Sequence, residues 1–452
     1  MLEGYFRLKE HGTTVGTEVV AGLTTFMVMA YIIFVNPAIL SFAGIPPLQA
    51  QGVPFAPTLA ATCLVAALAT AAMGLVTNYP LAVASGMGLN AVVAFQLIAA
   101  QKLPWPAAMG VIFLEGVAIT LLVLVGAREA VVNAIPLALK RAISVGIGLF
   151  ILFIGLVNGG LVRPGQGIPV TLGALTSPKV LVAVAGLFLT LLFLARGVRA
   201  ALLLGILGTT ILAIFVNTLH GGGVWTTPGM AVVPTSVVAW PDFSTLGAGI
   251  NFEVFARLGV LAACLAIFSI MLSDFFDTIG TVIGIGGEAG WLDKAGRLPR
   301  MNRVLLVDSL AAAVGGAASA SSATTYIESA AGVAAGGRTG LTSVVVALCF
   351  ALALFVAPLA GVVPAEATAP ALIVVGYLMC ALVREIPFSD LEEGFPALLT
   401  MTIMPFSYSI TNGIGAGFVS YVVIKLVRGR ARAVHPLLYV VAAAFLLYFG
   451  LH

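Results

Sequence analysis

The stretch Ser319–Gly340, "SASSATTYIESAAGVAAGGRTG", carries one carboxylate, Glu328, among residues that are mostly small, and long apolar stretches flank it. Small residues let the backbone approach a ligand and neighbouring helices closely. A helix that begins near Glu328 would direct its unpaired N–H groups and its positive end toward such a ligand. The alternative is a packing interface of small residues with one structural acid. This stretch therefore predicts an interrupted segment that forms one side of a binding site.

Composition predicts that most of the chain lies in lipid. Of 452 residues, 60% are hydrophobic and 9% are charged, whereas about 25% of the residues of a soluble domain are charged. The net charge of +3 and the lack of a long basic run argue against a nucleic-acid partner. The polar N-terminus predicts no cleaved signal peptide. We therefore predict a polytopic integral membrane protein in a lipid bilayer.

The sequence contains no recognisable catalytic or cofactor motif. Its cysteines lie singly in apolar segments without metal-ligand spacing, at Cys63, Cys264, Cys349 and Cys380. Such cysteines are typical of free core thiols. No catalytic triad, metal motif or phosphate-binding loop with its lysine occurs. We therefore predict no enzyme activity, no metal and no cofactor.

Apolar windows recur from end to end, and a helix needs about 17–25 residues to cross a bilayer. We predict fourteen spans near 18–37, 58–76, 81–100, 106–126, 139–157, 178–196, 199–218, 256–284, 302–318, 319–336, 341–358, 368–384, 395–409 and 411–428. A last apolar piece, 436–451, is either a fifteenth span or a helix lying on the bundle. With the N-terminus inside, seventeen Lys and Arg residues fall inside and four outside, which fits the positive-inside rule.

Fourteen spans divide into two sets of seven, and an odd-numbered repeat must be inverted in the membrane. Inverted repeats place the binding site at midplane, on interrupted helices at matching positions of the two halves. Two segments fit this pattern, "TNYPLAVASGMGLNAVVAF" (77–95) and "GGAASASSATTYIESAAGV" (315–333), each third in its half. Each reaches a polar residue, Asn90 or Glu328, after a run of poor helix formers.

Other acids lie within apolar segments, where a carboxylate costs at least about 2.5 kcal/mol and marks function by default. Asp274 and Asp277 lie in "CLAIFSIMLSDFFDTIGTVIGIGG". Asp274 and Thr278, one helical turn apart, share a face, and Asp277 points about 60° away from Asp274. Glu115 and Asp308 lie in the spans beside the interrupted segments. For these two acids, a packing role and a role in proton coupling remain equally open.

Four motifs resemble the nucleobase–cation symporter 2 family, in its azaguanine-type branch of adenine, guanine and hypoxanthine permeases. They are "TTYIESAAGVAAGGRTG", "SDFFDTIGT", "ASGMGLNA" and "TTFMVMAYIIFVNP". The resemblance implies an all-α polytopic fold of fourteen segments in two inverted repeats, with short strands in segments 3 and 10. It implies a core domain (18–126 and 256–358), a gate domain (139–218 and 368–428) and a separate apolar tail (429–452).

The resemblance also implies which residues hold a base between the two domains. Asp274 and Glu328 match the carboxylates that hydrogen-bond the base, and Asn90 matches the polar residue of segment 3. Thr278 stands where many relatives outside the branch have His, so a histidine-based coupling step is not expected. The candidate substrate-binding residues are Asp274, Glu328, Asn90, Thr278, Ser329 and Phe275, and the candidate proton-coupling residues are Asp274, Glu328, Asp277, Glu115 and Asp308. Phe276, Tyr326, Phe26 and Tyr31 are further candidate stacking surfaces.

The expected function is proton-coupled uptake of adenine, guanine or hypoxanthine across the inner or plasma membrane, with a cytoplasmic N-terminus. The chemistry fits, because a carboxylate accepts two N–H groups from a purine edge. The resemblance further implies a homodimer. The alternative is an anion transporter or channel on the same fold, against which the intramembrane acids argue. The sequence alone does not choose among the purines or between protons and sodium.

Overall fold

The computed structural model describes residues 2–43, 45–126, 134–165, 167–226, 230–234, 236–292 and 298–451. Helices of the first half are α1 (Leu2–Phe6), α2 (Val15–Met29), α3 (Ile32–Leu40), α4 (Pro46–Gln49), α5 (Phe55–Thr77), α6 (Met87–Ala91), α7 (Trp105–Leu124), α8 (Leu137–Asn158), α9 (Pro178–Ala195) and α10 (Ala201–Leu219). Those of the second half are α11 (Glu253–Leu258), α12 (Val260–Glu288), α13 (Met301–Ala317), α14 (Ser329–Ala334), α15 (Gly340–Ala353), α16 (Ala357–Gly361), α17 (Ala365–Met379), α18 (Leu391–Ser407), α19 (Ile410–Val427) and α20 (Pro436–Leu451).

Shorter elements complete the described chain. A π-helix, Val92–Ala100, continues α6, and 3-10 turns cover Leu354–Val356, Cys380–Glu385 and Ala431–Ala433. The strands are β1 (Val83–Ser85), β2 (Val162–Pro164), β3 (Val170–Leu172) and β4 (Ala323–Thr325). Among the described residues, ten helical stretches are long and apolar enough to cross a membrane. The predicted integral membrane protein is therefore confirmed at this level.

The two segments predicted to be interrupted are built alike, each as a short strand followed by a short helix. β1 pairs with β4 in antiparallel orientation, with Val83 opposite Thr325 and Ser85 opposite Ala323. Backbone N–H and C=O groups in the hydrocarbon region have no water to pair with, so a broken helix needs another partner. Each strand supplies that partner to the other.

The outer edges of this two-stranded ribbon are closed by side chains. Thr70 of α5 donates its hydroxyl to the Val83 carbonyl at 2.8 Å and accepts the Val83 N–H at 2.9 Å. On the other edge, the Thr325 N–H donates to Asp308 Oδ1 at 2.8 Å. An open strand edge is not tolerated in lipid. Thr70 and Asp308 therefore supply, at the two outer edges, hydrogen bonds that neighbouring strands would otherwise provide.

The long helices pack in two groups. In one group, α5 contacts α15, and α7 contacts α13. A Cβ on Gly116 of α7 would meet the backbone of Ala313 at 2.2 Å, so only glycine allows this close crossing. In the other group, α8 contacts α17 and α18, and α18 contacts α19. The ribbon belongs to the first group, because β1 contacts α5 and β4 contacts α13.

The C-terminal apolar piece forms α20, a helix of 16 residues. Its buried residues Leu438, Ala442 and Phe445 recur on one helical face, and the Phe445 ring lies 6.3 Å from that of Phe418 in α19.

Three of the cations counted on the inner side, Arg128, Lys294 and Arg297, lie outside the described residues.

Candidate functional site

A cavity of about 100 Å³ opens where the two interrupted segments meet the second helix group. Its walls come from the start of α6, from β4 and the residues after it, from α12, and from α8 and α17. One water molecule needs roughly 10–15 Å³ by a comparable measure, so the space admits a small molecule. Gly88 allows this arrangement, because a Cβ there would lie 2.6 Å from Ile147 Cγ2 of α8.

Glu328 lines this cavity at the start of α14. The Tyr31 hydroxyl donates to Glu328 Oε1 at 2.6 Å, which orients the carboxyl group. The Tyr326 hydroxyl donates to the Ser85 carbonyl at 2.5 Å and ties the cavity wall to β1. Both tyrosines therefore combine an aromatic surface with a fixed hydroxyl.

α12 presents one face to the cavity. Ser273, Asp277 and Thr281 line it, and residues four apart on a helix share a face. Two carboxyl groups, those of Asp277 and Glu328, therefore border one space, and no Lys, Arg or His side chain is among the described residues that line it.

Asp274 does not line the cavity but points behind it, toward α7. The Ser322 hydroxyl lies 3.2 Å from Asp274 Oδ2 and 3.5 Å from Glu115 Oε2. Both residues are buried, and their carboxyl groups are neighbours at this one hydroxyl. Asp274 Oδ1 and Glu115 Oε1 have no donor among the described residues.

Asp308 and Thr278 form a third polar group behind β4. The Thr278 hydroxyl donates to Asp308 Oδ2 at 2.6 Å, and the Thr325 hydroxyl donates to Oδ1 at 2.6 Å. With the Thr325 N–H, three donors converge on this carboxyl group. Thr278 also lies 2.7 Å from the Thr324 hydroxyl. This group joins α12, α13 and β4.

The other predicted residues lie near the cavity without lining it. Asn90 is fully buried in α6, and neither its Oδ1 nor its Nδ2 has a partner among the described residues. The Ser329 hydroxyl accepts the Ala82 N–H at 2.9 Å and so fixes α14 to the chain before β1. Phe275 is buried, and its ring lies 5.9 Å from that of Phe276.

Several lining residues were not predicted from the sequence. They are Gly86, Met87, Gly88, Leu89, Ile147, Ser273, Thr281, Thr324, Thr325, Ile327, Val375 and Met379. The four-residue spacing of Ser273, Asp277 and Thr281 is visible in the sequence, but Asp274 and Thr278 share that spacing, so it does not by itself identify the cavity-facing side of α12. The apolar residues of α8 and α17 carry no comparable signal, because every membrane helix contains such residues.

Comparison with known sequences gives one consistent result. A sequence profile described as the permease family matches residues 16–416. The adenine permease AdeP of Escherichia coli is 42% identical over 99% of this chain and 95% of its own length. The putative permease MJ0326 of Methanocaldococcus jannaschii is 41% identical over 99% and 98%. The guanine/hypoxanthine permease PbuO of Bacillus subtilis is 40% identical over 97% and 98%.

Solved structures show the same fold in more distant proteins. The transmembrane domain of the cyanobacterial bicarbonate transporter BicA superposes with a TM-score of 0.63 at 14% identity, covering 89% of this chain and 96% of that domain. Murine Slc26a9, an anion transporter in the inward-facing state, gives 0.61 at 11% identity over 91% and 68%. At such identities the likeness concerns the fold alone. The curated relatives establish the family: the chain belongs to the xanthine/uracil permeases, the nucleobase–cation symporter 2 family that its motifs resemble, and is a transporter and not an enzyme.

Proposed function

We propose that this protein takes up purine nucleobases (adenine, guanine or hypoxanthine) together with protons across the cell's inner or plasma membrane. The observation that carries the proposal is the cavity beside the strand ribbon, bordered by Glu328 and Asp277. The names of the full-length relatives, adenine permease and guanine/hypoxanthine permease, support a purine as cargo.

The proposed architecture has fourteen segments in two inverted repeats. Segments 3 and 10 are the strand–helix units that contain β1 and β4. The first helix group with the ribbon forms the core, and the group of α8, α9, α10, α17, α18 and α19 forms the gate. The proposed orientation in the membrane, with a cytoplasmic N-terminus, rests on the excess of Lys and Arg residues on the inner side. A homodimer is part of the same proposal.

Binding of the base centres on Glu328. A carboxyl group that Tyr31 already orients at 2.6 Å can accept purine N–H groups without losing its geometry. The N–H groups at the start of α6 and α14 face the same region and can meet ring nitrogens or a carbonyl oxygen. The rings of Tyr31 and Tyr326 offer apolar walls to a flat base. Asn90, next to the cavity wall and without a partner for its amide group among the described residues, is the proposed second contact of the base. Thr278, Ser329 and Phe275 support the walls around it.

Proton coupling centres on Asp274, with Glu115 as its partner. Two buried carboxyl groups in contact repel each other if both are charged, so the pair holds at least one proton. Ser322 has one hydroxyl proton and cannot satisfy both groups at once. A proton between Asp274 and Glu115 would supply the donor that their free oxygens lack. Ser322 directly precedes β4, whose residues Thr324 and Thr325 line the cavity. Gain or loss of the proton can therefore shift the cavity wall through Ser322.

Anion transport is the second candidate, because BicA and Slc26a9 share the fold. An anion site requires cations or unopposed helix N-termini. The described cavity residues instead include two carboxyl groups and no Lys, Arg or His. The charge of the site therefore favours a neutral base over an anion.

Uptake into cells lacking their own purine transport tests the proposal. Radiolabelled adenine, guanine, hypoxanthine, uracil and sulfate are compared, each with and without a protonophore and in sodium-free buffer. We expect purine uptake that the protonophore abolishes and that survives without sodium. Sulfate uptake, or purine uptake that depends on sodium alone, would contradict the cargo or the coupling respectively.

A further inference from the structure

The far end of the first interrupted segment is bonded to the other helix group through Gln96. Gln96 is 1% exposed. Its Nε2 donates to the Thr411 hydroxyl at 2.8 Å, and its Oε1 accepts the Ile410 N–H at 2.8 Å. Both polar ends of one side chain therefore bind the first turn of α19.

This contact satisfies groups that would otherwise be unpaired. The first N–H groups of a helix have no carbonyl partner within the helix, and Ile410 is the first residue of α19. Gln96 caps α19 from a different segment of the chain. When these two elements separate, the amide group, the N–H group and the hydroxyl lose these partners and must bond to water instead, at a net cost in free energy. The contact therefore favours a closed arrangement of this end.

An aromatic layer accompanies the hydrogen bonds. The ring of Phe95, next to Gln96, lies 6.1 Å from that of Tyr408, which precedes α19. Tyr408 in turn lies 5.7 Å from Phe150 and 5.5 Å from Phe153, both on α8. Tyr408 has a positive φ of 50°, which ends α18 and turns its ring into this layer. This layer of rings lies next to Gln96 along the chain, and the Gln96 side chain is closed off from water.

The layer lies beyond the cavity along the same segment. Leu89 lines the cavity, and Phe95 follows six residues later, about 9 Å along a helix. The cavity extends the other way, to Thr281 on α12 and to Met379 at the end of α17. With a cytoplasmic N-terminus, Met379 is on the inner side and the layer is on the outer side.

We propose that Gln96, bonded to Ile410 and Thr411 and covered by Phe95 and Tyr408, is the outer gate of the transporter. This inference rests on the core and gate division of the proposed function. Opening to the outside requires that Gln96 release α19, so the two hydrogen bonds set the balance between inward-open and outward-open forms. Gln96 is thus a gating residue that touches no substrate.

Cysteine accessibility tests the gate without any substrate. The starting protein is a variant in which all four native cysteines are replaced and which has been checked for transport. Val375→Cys then places a single thiol in the cavity. A membrane-impermeant thiol reagent is applied to either face. Gln96→Ala removes both hydrogen bonds, and we expect labelling from the outer face to rise about five- to thirtyfold while labelling from the inner face falls. Thr411→Ala removes one bond, so a rise of about two- to fivefold is expected.

Gln101→Ala is the matched control, because Gln101 follows the same π-helix and its Oε1 has no partner among the described residues. Its labelling should equal that of the parent. If labelling from the outer face is unchanged in Gln96→Ala, the proposed gate is wrong. If Gln96→Ala does not reach the membrane, unchanged labelling in Thr411→Ala decides in the same way. An equal rise in Gln101→Ala would overturn the gate as well. A gate effect in a protein that takes up no purine would refute only the proposed cargo.

Discussion

Asp308 and the pair of Asp274 and Glu115 lie behind the same strand, yet their surroundings differ. Asp308 receives three hydrogen bonds, from the Thr278 hydroxyl and from the N–H and hydroxyl of Thr325. Asp274 and Glu115 share the single hydroxyl of Ser322 and leave one oxygen each without a donor. Both oxygens of Asp308 therefore accept hydrogen bonds, whereas Asp274 and Glu115 together lack the donor that one further proton would supply.

This difference separates two uses of a buried acid. A carboxyl group whose oxygens are fully engaged holds elements together, and removing it leaves buried donors unpaired. A carboxyl group with an unengaged oxygen can take up or release a proton without breaking its surroundings. Burial alone does not distinguish the two cases, since all three acids are less than 5% exposed. The following substitutions test this division, beginning with the largest expected effect.

Asp308→Ala should strongly destabilise the protein. Each hydrogen bond to a charged group contributes roughly 1.5–3 kcal/mol, so losing three costs several kcal/mol of unfolding free energy. Thermal unfolding in detergent and the yield of folded protein measure this loss. Asp308→Asn retains one oxygen that can accept the Thr325 N–H, so it should be less damaging. A stable and fully active Asp308→Ala protein would mean that Asp308 is not an anchor.

Glu328→Gln should weaken purine binding about ten- to a hundredfold, from the loss of a charge-assisted hydrogen bond worth roughly 1.5–3 kcal/mol. Binding to purified protein and uptake at two pH values measure the effect. Glu366→Gln is a suitable control, because Glu366 accepts the Trp225 Nε1–H at 2.9 Å away from the cavity. If Glu328→Gln binds and transports like the parent, the acid at the start of α14 is structural.

Asp274→Asn and Glu115→Gln should each leave purine binding largely intact but remove accumulation driven by a pH gradient. One proton per cycle sustains about tenfold accumulation for each pH unit of gradient, and that gain should disappear. Exchange of labelled for unlabelled purine should continue in proteoliposomes. The double variant should be no worse than either single variant, because both act on one proton. Independent losses from the two substitutions would contradict a shared proton.

Asn90→Ala should have the smallest effect, a two- to tenfold rise in the half-saturation constant or a changed purine preference. This range corresponds to about 0.5–1.5 kcal/mol for a neutral hydrogen bond. Asn158→Ala is the control, since Asn158 Oδ1 also lacks a partner among the described residues but belongs to the end of α8. Identical kinetics for all three purines in Asn90→Ala would assign Asn90 a packing role.

Much of the architecture could be predicted from composition and from the two interrupted segments. Small residues around Asn90 and Glu328 indicated broken helices, and β1 and β4 are present there. The helical face of α12 could not be chosen. Asp274 with Thr278 and Asp277 with Thr281 have the same spacing, and only the contacts of α12 with α7 and β4 turn the first pair away from the cavity. The Gln96 contact joins residues 315 positions apart, which no local pattern reveals.

The strand ribbon has a consequence for the biosynthesis of the protein. Tyr326 and Ser85, which it brings together, are 241 residues apart in the chain. At about 5–20 residues per second, the ribosome needs roughly 10–50 seconds between making the two strands. During that interval β1 lies in the membrane with Thr70 on one edge and no strand on the other. Until β4 is made, the open edge of β1 in the nascent first half therefore needs other hydrogen-bond partners, such as an insertase or neighbouring helices.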